Sequence, residues 1–277
     1  MAPPGLDAMR PGRLGLNHGA YHGERITLGP VIEGIRKAAE KFDWRLETLP
    51  AGPGLELLAF TRSASTARQR VYISAGIHGD EPAGPLAVRQ LLQEDQWPTG
   101  FSFWVCPCLN PTGCAAGTRE NSRGADLNRD YRHLETAEVR AHMDWLSRQP
   151  GFDLTICLHE DWESHGFYLY ELNPDQRLSL AEPMMEAVAP LCPIDLSEVI
   201  EGREAHAGII RPSLDPNSRP QWPEAFHLIQ HKTRLSYTLE APSDFPLPTR
   251  QAALVAAVRR ALDRLDRTTG QGTSAGS

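Results

Sequence analysis

The 277-residue chain is 40% hydrophobic and 23% charged, the balance of a globular protein rather than of a disordered or fibrous one. Its 35 acidic and 28 basic side chains give a formal net charge of −7, which argues against a general nucleic-acid binder, and no run of eighteen apolar residues is present to span a membrane. Five cysteines, an odd number, follow a start (MAPPGLDAMRPGRLG) that lacks the apolar core of a secretory signal. Reduced thiols and a cytoplasmic location are the expectation.

In chain order, the Pro- and Gly-rich residues 1–15 are expected to be loose. Val71–Ile77 reads as a buried strand, and Glu81–Glu94 as the helix after it. Phe101–Cys108 is a second strand, and Glu135–Arg148 carries Val139, Met143 and Leu146 at helical spacing. Phe152–Leu158 is a third buried strand and Phe167–Leu172 a fourth. Leu180–Val188 and Glu224–His231 are helical in character, with the strand Leu235–Leu239 after them. Arg250–Leu265 is an amphipathic helix with Leu254, Val258, Leu262 and Leu265 on one face. The tail Thr268–Ser277, with no large apolar residue, is expected to be disordered. The alternation predicts an α/β fold: a single α/β/α domain over residues 16–267 with a mixed, largely parallel central sheet.

Ligands of such sheets bind at the carboxyl ends of the strands, so the residues at those ends carry the functional reading. Val71–Ile77 runs into His78-Gly79-Asp80-Glu81, and Phe152–Leu158 runs into His159. Two imidazoles and one carboxylate form a catalytic zinc set with a fourth position left open. The competing reading is a helix-turn residue at His78 and a strand-end histidine at His159. The polar stretch Gly117–Tyr131 offers Arg119, Asn128 and Arg129 as donors to a carboxylate or an oxyanion, and Asp126 as a partner that orients a ligating imidazole. Alternatively it is a solvated, salt-bridged loop. Glu240 ends the strand Leu235–Leu239, where desolvation raises a carboxyl pKa toward the range of a general base.

HGDE at His78–Glu81, the Arg119…DLNR element ending at Arg129, His159 after a strand and TLE at Thr238–Glu240 together resemble the zinc carboxypeptidases, over about Val71–Ala241. The wording is closer to the murein peptide amidase and desuccinylase/aspartoacylase branches than to the digestive enzymes. The resemblance implies one Zn2+ per chain held by His78, Glu81 and His159, with Asp126 hydrogen-bonded to His78. It implies Arg119 as the polarising and oxyanion residue, Asn128 and Arg129 as the carboxylate clamp, and Glu240 as the base acting with a metal-activated water. The family's tyrosine over the substrate has no clear counterpart, with Tyr168, Tyr170 and Tyr237 as the nearby choices. Only 37 residues follow Glu240, so the compact carboxypeptidase or amidase shape is expected rather than one with an added β domain.

The expected function is zinc-dependent hydrolysis of an amide beside a free carboxylate in a short peptide. The alternatives are an N-acyl amino acid deacylase and a non-catalytic zinc-binding protein. Glu160-Asp161-Trp162-Glu163, directly after His159, reads either as a solvated acidic loop or as a cleft wall that attracts a substrate amine. The cysteines read as core residues, with Cys106 and Cys108 able to share a strand face.

Overall fold

The computed structural model describes residues 12–271. Helix α1 (Leu28–Lys41) precedes the antiparallel hairpin β1 (Arg45–Gly52) and β2 (Leu55–Arg62). Then come β3 (Gln69–Ala75), α2 (Ala83–Glu94), β4 (Phe101–Cys106), α3 (Pro111–Ala116) and α4 (Ala137–Ser147). The second half holds β5 (Leu154–Asp161), β6 (Tyr168–Leu172), α5 (Ala181–Val188), the short strands β7 (Val199–Ile200), β8 (Arg203–His206) and β9 (Ile209–Ile210), α6 (Glu224–His231), β10 (Ser236–Pro242) and α7 (Leu247–Gln271).

The strands form one sheet in the order β1-β2-β4-β3-β5-β10-β6-β9-β8-β7. Its centre, β4-β3-β5-β10, is parallel, and the flanking pairs are mainly antiparallel. The expected mixed, largely parallel α/β/α architecture is the observed one. The central strands are largely buried, with one face mainly apolar and the other mixing apolar side chains with Ser74, Thr155, Ser236 and the site residues. Val71 and Ile73 of β3, Ile156 and Leu158 of β5, and Leu239 of β10 pack with α1, α2, α5 and α7. Tyr72 and Cys157 point the other way, toward Trp145 and Leu146 of α4 and Phe226 and Leu228 of α6.

Several sequence expectations need correction at element ends. Strand β5 does not stop before His159 but continues through Asp161, and β10 continues past Glu240 to Pro242. The two ends support each other as a ladder that pairs Glu240 with His159 and Ala241 with Glu160. Residues 13–17 are not loose: Arg13 pairs with the Asp244 carboxylate at 3.0 Å, and the backbone amides of Gly15 and Leu16 donate to it at 3.1 and 2.8 Å. The earlier part of the expected loose segment, residues 1–11, lies outside the described residues. Helix α7 extends to Gln271, so Thr268–Gln271 continue it, and residues 272–277 lie outside the description. The hairpin β1–β2 and strands β7–β9 carry no strong alternation in sequence and were not anticipated.

Candidate metal centre and cleft

His78 and Glu81 lie in the turn between β3 and α2, at the carboxyl end of the sheet. Gly79 between them is required by a backbone-on-backbone contact. A Cβ there would stand 1.9 Å from the carbonyl carbon of Gly113 and 2.3 Å from the Cys114 nitrogen. His159 is on the neighbouring strand β5. Alternation along β5 turns Leu158 toward the α7 layer and His159 toward the cleft.

His78, Glu81 and His159 are all buried, and their donor atoms lie within 4.8 Å of one another. His78 Nδ1 is 2.5 Å from Glu81 Oε1, and His159 Nδ1 is 3.0 Å from Glu81 Oε2. Glu81 Oε2 and His78 Nε2 nonetheless have no aligned hydrogen-bond partner. Buried polar atoms left this way are costly, and a cation bound by the three side chains satisfies Glu81. Two imidazoles and one carboxylate are also the donor chemistry of zinc, so the residues present fit the ion. Among the described residues, this is the one His/Cys/Asp/Glu cluster with metal-ligand spacing.

Electrostatics tie the three together. Burial disfavours protonated His78, but Glu81 and Asp126 outweigh it and raise its pKa to about 9. Burial likewise works against ionised Glu81, and the two imidazoles overcome it, holding its pKa well below the usual carboxylate range. His159 is shifted down, chiefly by burial.

Asp126 sits behind His78, with Oδ1 3.3 Å from Nε2. The same oxygen accepts from the Asn128 amide at 2.9 Å, capping the short 3-10 turn Leu127–Arg129. Arg119 donates to Asp126 Oδ2 at 3.1 Å and reaches within 3.9 Å of Glu81. Asn128 is buried, and its Oδ1 accepts from the Glu224 amide at 2.9 Å. Arg129 is exposed to the cleft and donates to the Asn128 carbonyl. Glu240 lies on the cleft wall, and burial, followed by the charge of Glu81, raises its pKa well above the carboxylate range. All the site residues read from the sequence except Asp126 line one cleft of about 670 Å³; Asp126 touches it through His78 and Arg119.

The tyrosine and acidic-segment readings also resolve. Tyr237 faces the opposite layer, donating to Glu171 and accepting from the Leu180 amide. Tyr168 donates to Asp161. Tyr170 lines the cleft, and its hydroxyl donates to Glu201. The acidic segment divides: Glu160 and Asp161 belong to β5, with Glu160 buried against Arg250, while Trp162 and Glu163 lie in the following loop, where Glu163 is exposed. Asp161, Trp162 and Glu163 line the cleft. Cys108 pairs with Cys114 rather than Cys106, with their sulfurs 3.3 Å apart. Sequence reasoning also missed Tyr21, Glu201, Arg203 and Arg219, which line the cleft from distant segments. None of these carries a local motif.

A parallel-centred sheet with two histidines and a glutamate at the carboxyl ends of adjacent strands, backed by an Asp–Arg pair, defines a zinc-carboxypeptidase-like α/β protein. Residues 67–199 match the succinylglutamate desuccinylase/aspartoacylase catalytic domain, a segment that includes every site residue read from the sequence except Glu240. It is 31% identical to murein peptide amidase A of Escherichia coli K12 over 103 residues, which are 37% of this chain and 42% of that protein. The chain thus spans less than half the length of that curated relative. Among solved structures, a Shewanella amazonensis SB2B protein assigned to the metallopeptidases is 23% identical, with a TM-score of 0.74 over 86% of this chain and 93% of that one. A metallo-carboxypeptidase from Burkholderia cenocepacia is 18% identical, with a TM-score of 0.65 over 89% of this chain and 70% of that one. These likenesses establish the fold.

Proposed function

We propose that the chain is a zinc-dependent hydrolase that cleaves an amide beside a free carboxylate in a short peptide. The observation that carries this reading is the meeting, in one cleft, of a buried His78–Glu81–His159 cluster with a raised-pKa carboxyl at Glu240. A zinc ion held there supplies Lewis acidity toward a carbonyl oxygen and lowers the pKa of water. Glu240 takes a proton from the attacking water and returns it to the leaving nitrogen. Arg119, oriented by Asp126, stabilises the negative charge that develops on the scissile carbonyl oxygen. Arg129 and Asn128 hold the substrate carboxylate. The Asn128 Oδ1 bond to the Glu224 amide leaves its side-chain NH2 as the group to donate. Asp161 and Glu163 serve a substrate amine beside Trp162.

A second reading, an N-acyl amino acid deacylase, is favoured by the desuccinylase/aspartoacylase match and by Arg203 and Arg219, which add positive charge to the same cleft. Five free, buried thiols support a reducing, cytoplasmic setting for either reaction. A screen of the zinc-loaded protein against dipeptides, wall peptides containing D-amino acids, and N-acyl amino acids tests both. Turnover of peptides supports the first reading, and turnover confined to N-acyl amino acids supports the second. No turnover with a metal-loaded cleft would leave a zinc-binding protein without catalysis.

A further inference from the structure

Glu160 follows His159 in sequence and borders the same cleft, but its carboxylate turns toward α2 and α7. One carboxylate oxygen accepts from the backbone amide of Ala83 at 2.5 Å. Ala83 opens α2, two residues after Glu81. The other oxygen is bound by Arg250 Nη1 and lies 3.4 Å from Ser243 Oγ. Arg250 comes from α7 and is 0% exposed, and the Glu160 side chain is equally buried. The same guanidinium continues to the N-terminal segment, 3.1 Å from Glu24 and 3.3 Å from the hydroxyl of Tyr21. Tyr21 in turn lines the cleft.

A buried ion pair of this kind is a poor device for stability alone, because desolvation offsets most of its attraction. It is an effective device for fixing geometry, since removing either partner strands a charge. This pair also stands at a particular place. It joins the residue after one proposed ligand, His159, to the helix that begins two residues after another, Glu81. The two ligands lie on separate segments, β5 and the β3–α2 turn; the β3–β5 ladder ends at Ala75, and beyond it α2 packs on Leu158 of β5. Beyond Ala75, the approach of Glu81 to His159 depends on how α2 is seated. The Glu160–Ala83 bond pins its first residue in addition to that packing, and Arg250 binds the other oxygen of Glu160.

We propose that Glu160 and Arg250 are positioning residues for the metal centre: together they staple the start of α2 to the end of β5 and so set the separation of Glu81 from His159. The proposal rests on the reading of those two side chains as metal ligands. Through Arg250 the same staple fixes Tyr21 at the cleft wall, so the N-terminal segment is registered to the metal side of the cleft.

The test measures metal affinity and ligand geometry rather than turnover. Zinc affinity is read by chelator competition and ligand geometry from the visible absorption of the Co2+-substituted protein. The variants are Glu160→Gln, Arg250→Met and the charge-free double variant Glu160→Gln/Arg250→Met, with Glu81→Gln as the ligand control. Glu160→Gln is expected to weaken zinc binding about 10–100-fold and to alter the cobalt spectrum, the scale found when groups that orient ligands are removed. The double variant, which strands no charge, is expected to recover thermal stability over Arg250→Met while keeping the weakened zinc binding. That split separates positioning from stability. A double variant with wild-type zinc affinity and cobalt spectrum would overturn the proposal. If Glu81→Gln also leaves zinc binding intact, the ligand assignment itself fails, and the staple proposal with it. If a single variant does not fold, the double variant decides the matter. A double variant that folds only when zinc is supplied supports the proposal, because its apo state then lacks the seating of α2.

Discussion

His159 and Glu240 are Cα partners in the parallel ladder between β5 and β10. Two residues 81 positions apart in sequence are thereby held side by side on rigid backbone, on the same face of the sheet and in the same cleft. The proposed ligand and the proposed base thus keep a fixed separation whatever the surrounding loops do, the arrangement that pre-organised catalysis needs.

The first prediction is one zinc per chain. Metal analysis of the purified protein is expected to give a 1:1 ratio, and His78→Ala/His159→Ala is expected to lose it. Retention of full zinc content by the double variant would exclude this ligand set.

Glu240→Gln keeps size and polarity but removes the proton acceptor. Turnover is expected to fall about 10²–10⁴-fold, with zinc content unchanged. Near-normal turnover would remove Glu240 from the reaction.

Arg119 and Arg129 should separate kinetically. Arg119→Ala is expected to lower kcat, because its partner is charge that develops in the transition state. Arg129→Ala is expected mainly to raise KM for substrates bearing a free carboxylate. Two variants that differ only in KM from the parent would contradict this division.

Glu224 makes a pH prediction away from the metal. It is 1% exposed and accepts from the hydroxyls of Tyr72 and Ser74 at 2.7 and 2.9 Å. Burial pushes its pKa up from 4.5 to about 7. Below about pH 4.5 both the folded and unfolded chains carry its proton. Between there and pH 7 the unfolded chain ionises while the folded one keeps the proton, so stability falls as pH rises. The loss is on the order of 3 kcal/mol when complete above pH 7. Glu224→Gln cannot ionise, so urea denaturation should show the variant gaining on the parent by that order between pH 4.5 and 8. Parallel pH profiles for the two proteins would refute the assignment.

Gly79→Ala places a methyl into the backbone of Gly113 and Cys114, which no side-chain rotation relieves. The β3–α2 turn must shift, taking His78 and Glu81 with it. Weakened zinc binding and a lowered Tm are expected together. A Gly79→Ala protein with parental zinc affinity would show that the turn adapts.

The sequence by itself determined the layered α/β class and nearly every central element, because β-branched runs and 3.6-residue periodicity are local signals of burial on two faces or on one. Glu224–His231 was legible to the residue. The candidate site was legible too, since HGDE follows β3, His159 and TLE lie toward the carboxyl ends of β5 and β10, and DLNR forms a short turn beside them. Only the tertiary structure decided where each side chain points. Strands β5 and β10 run past their apolar stretches because each supplies the other's hydrogen bonds, a long-range pairing with no local signature. That extension buries the Glu160 carboxylate against Arg250 at the cleft's edge while Asp161 stays half-buried, so neighbours in one acidic run have different partners. Tyr237 was separated from the cleft by the same period-two alternation. Asp244 meets residues 13–17 through packing between distant segments, whose partners are chosen by shape and hydrogen-bonding capacity in three dimensions rather than by spacing along the chain.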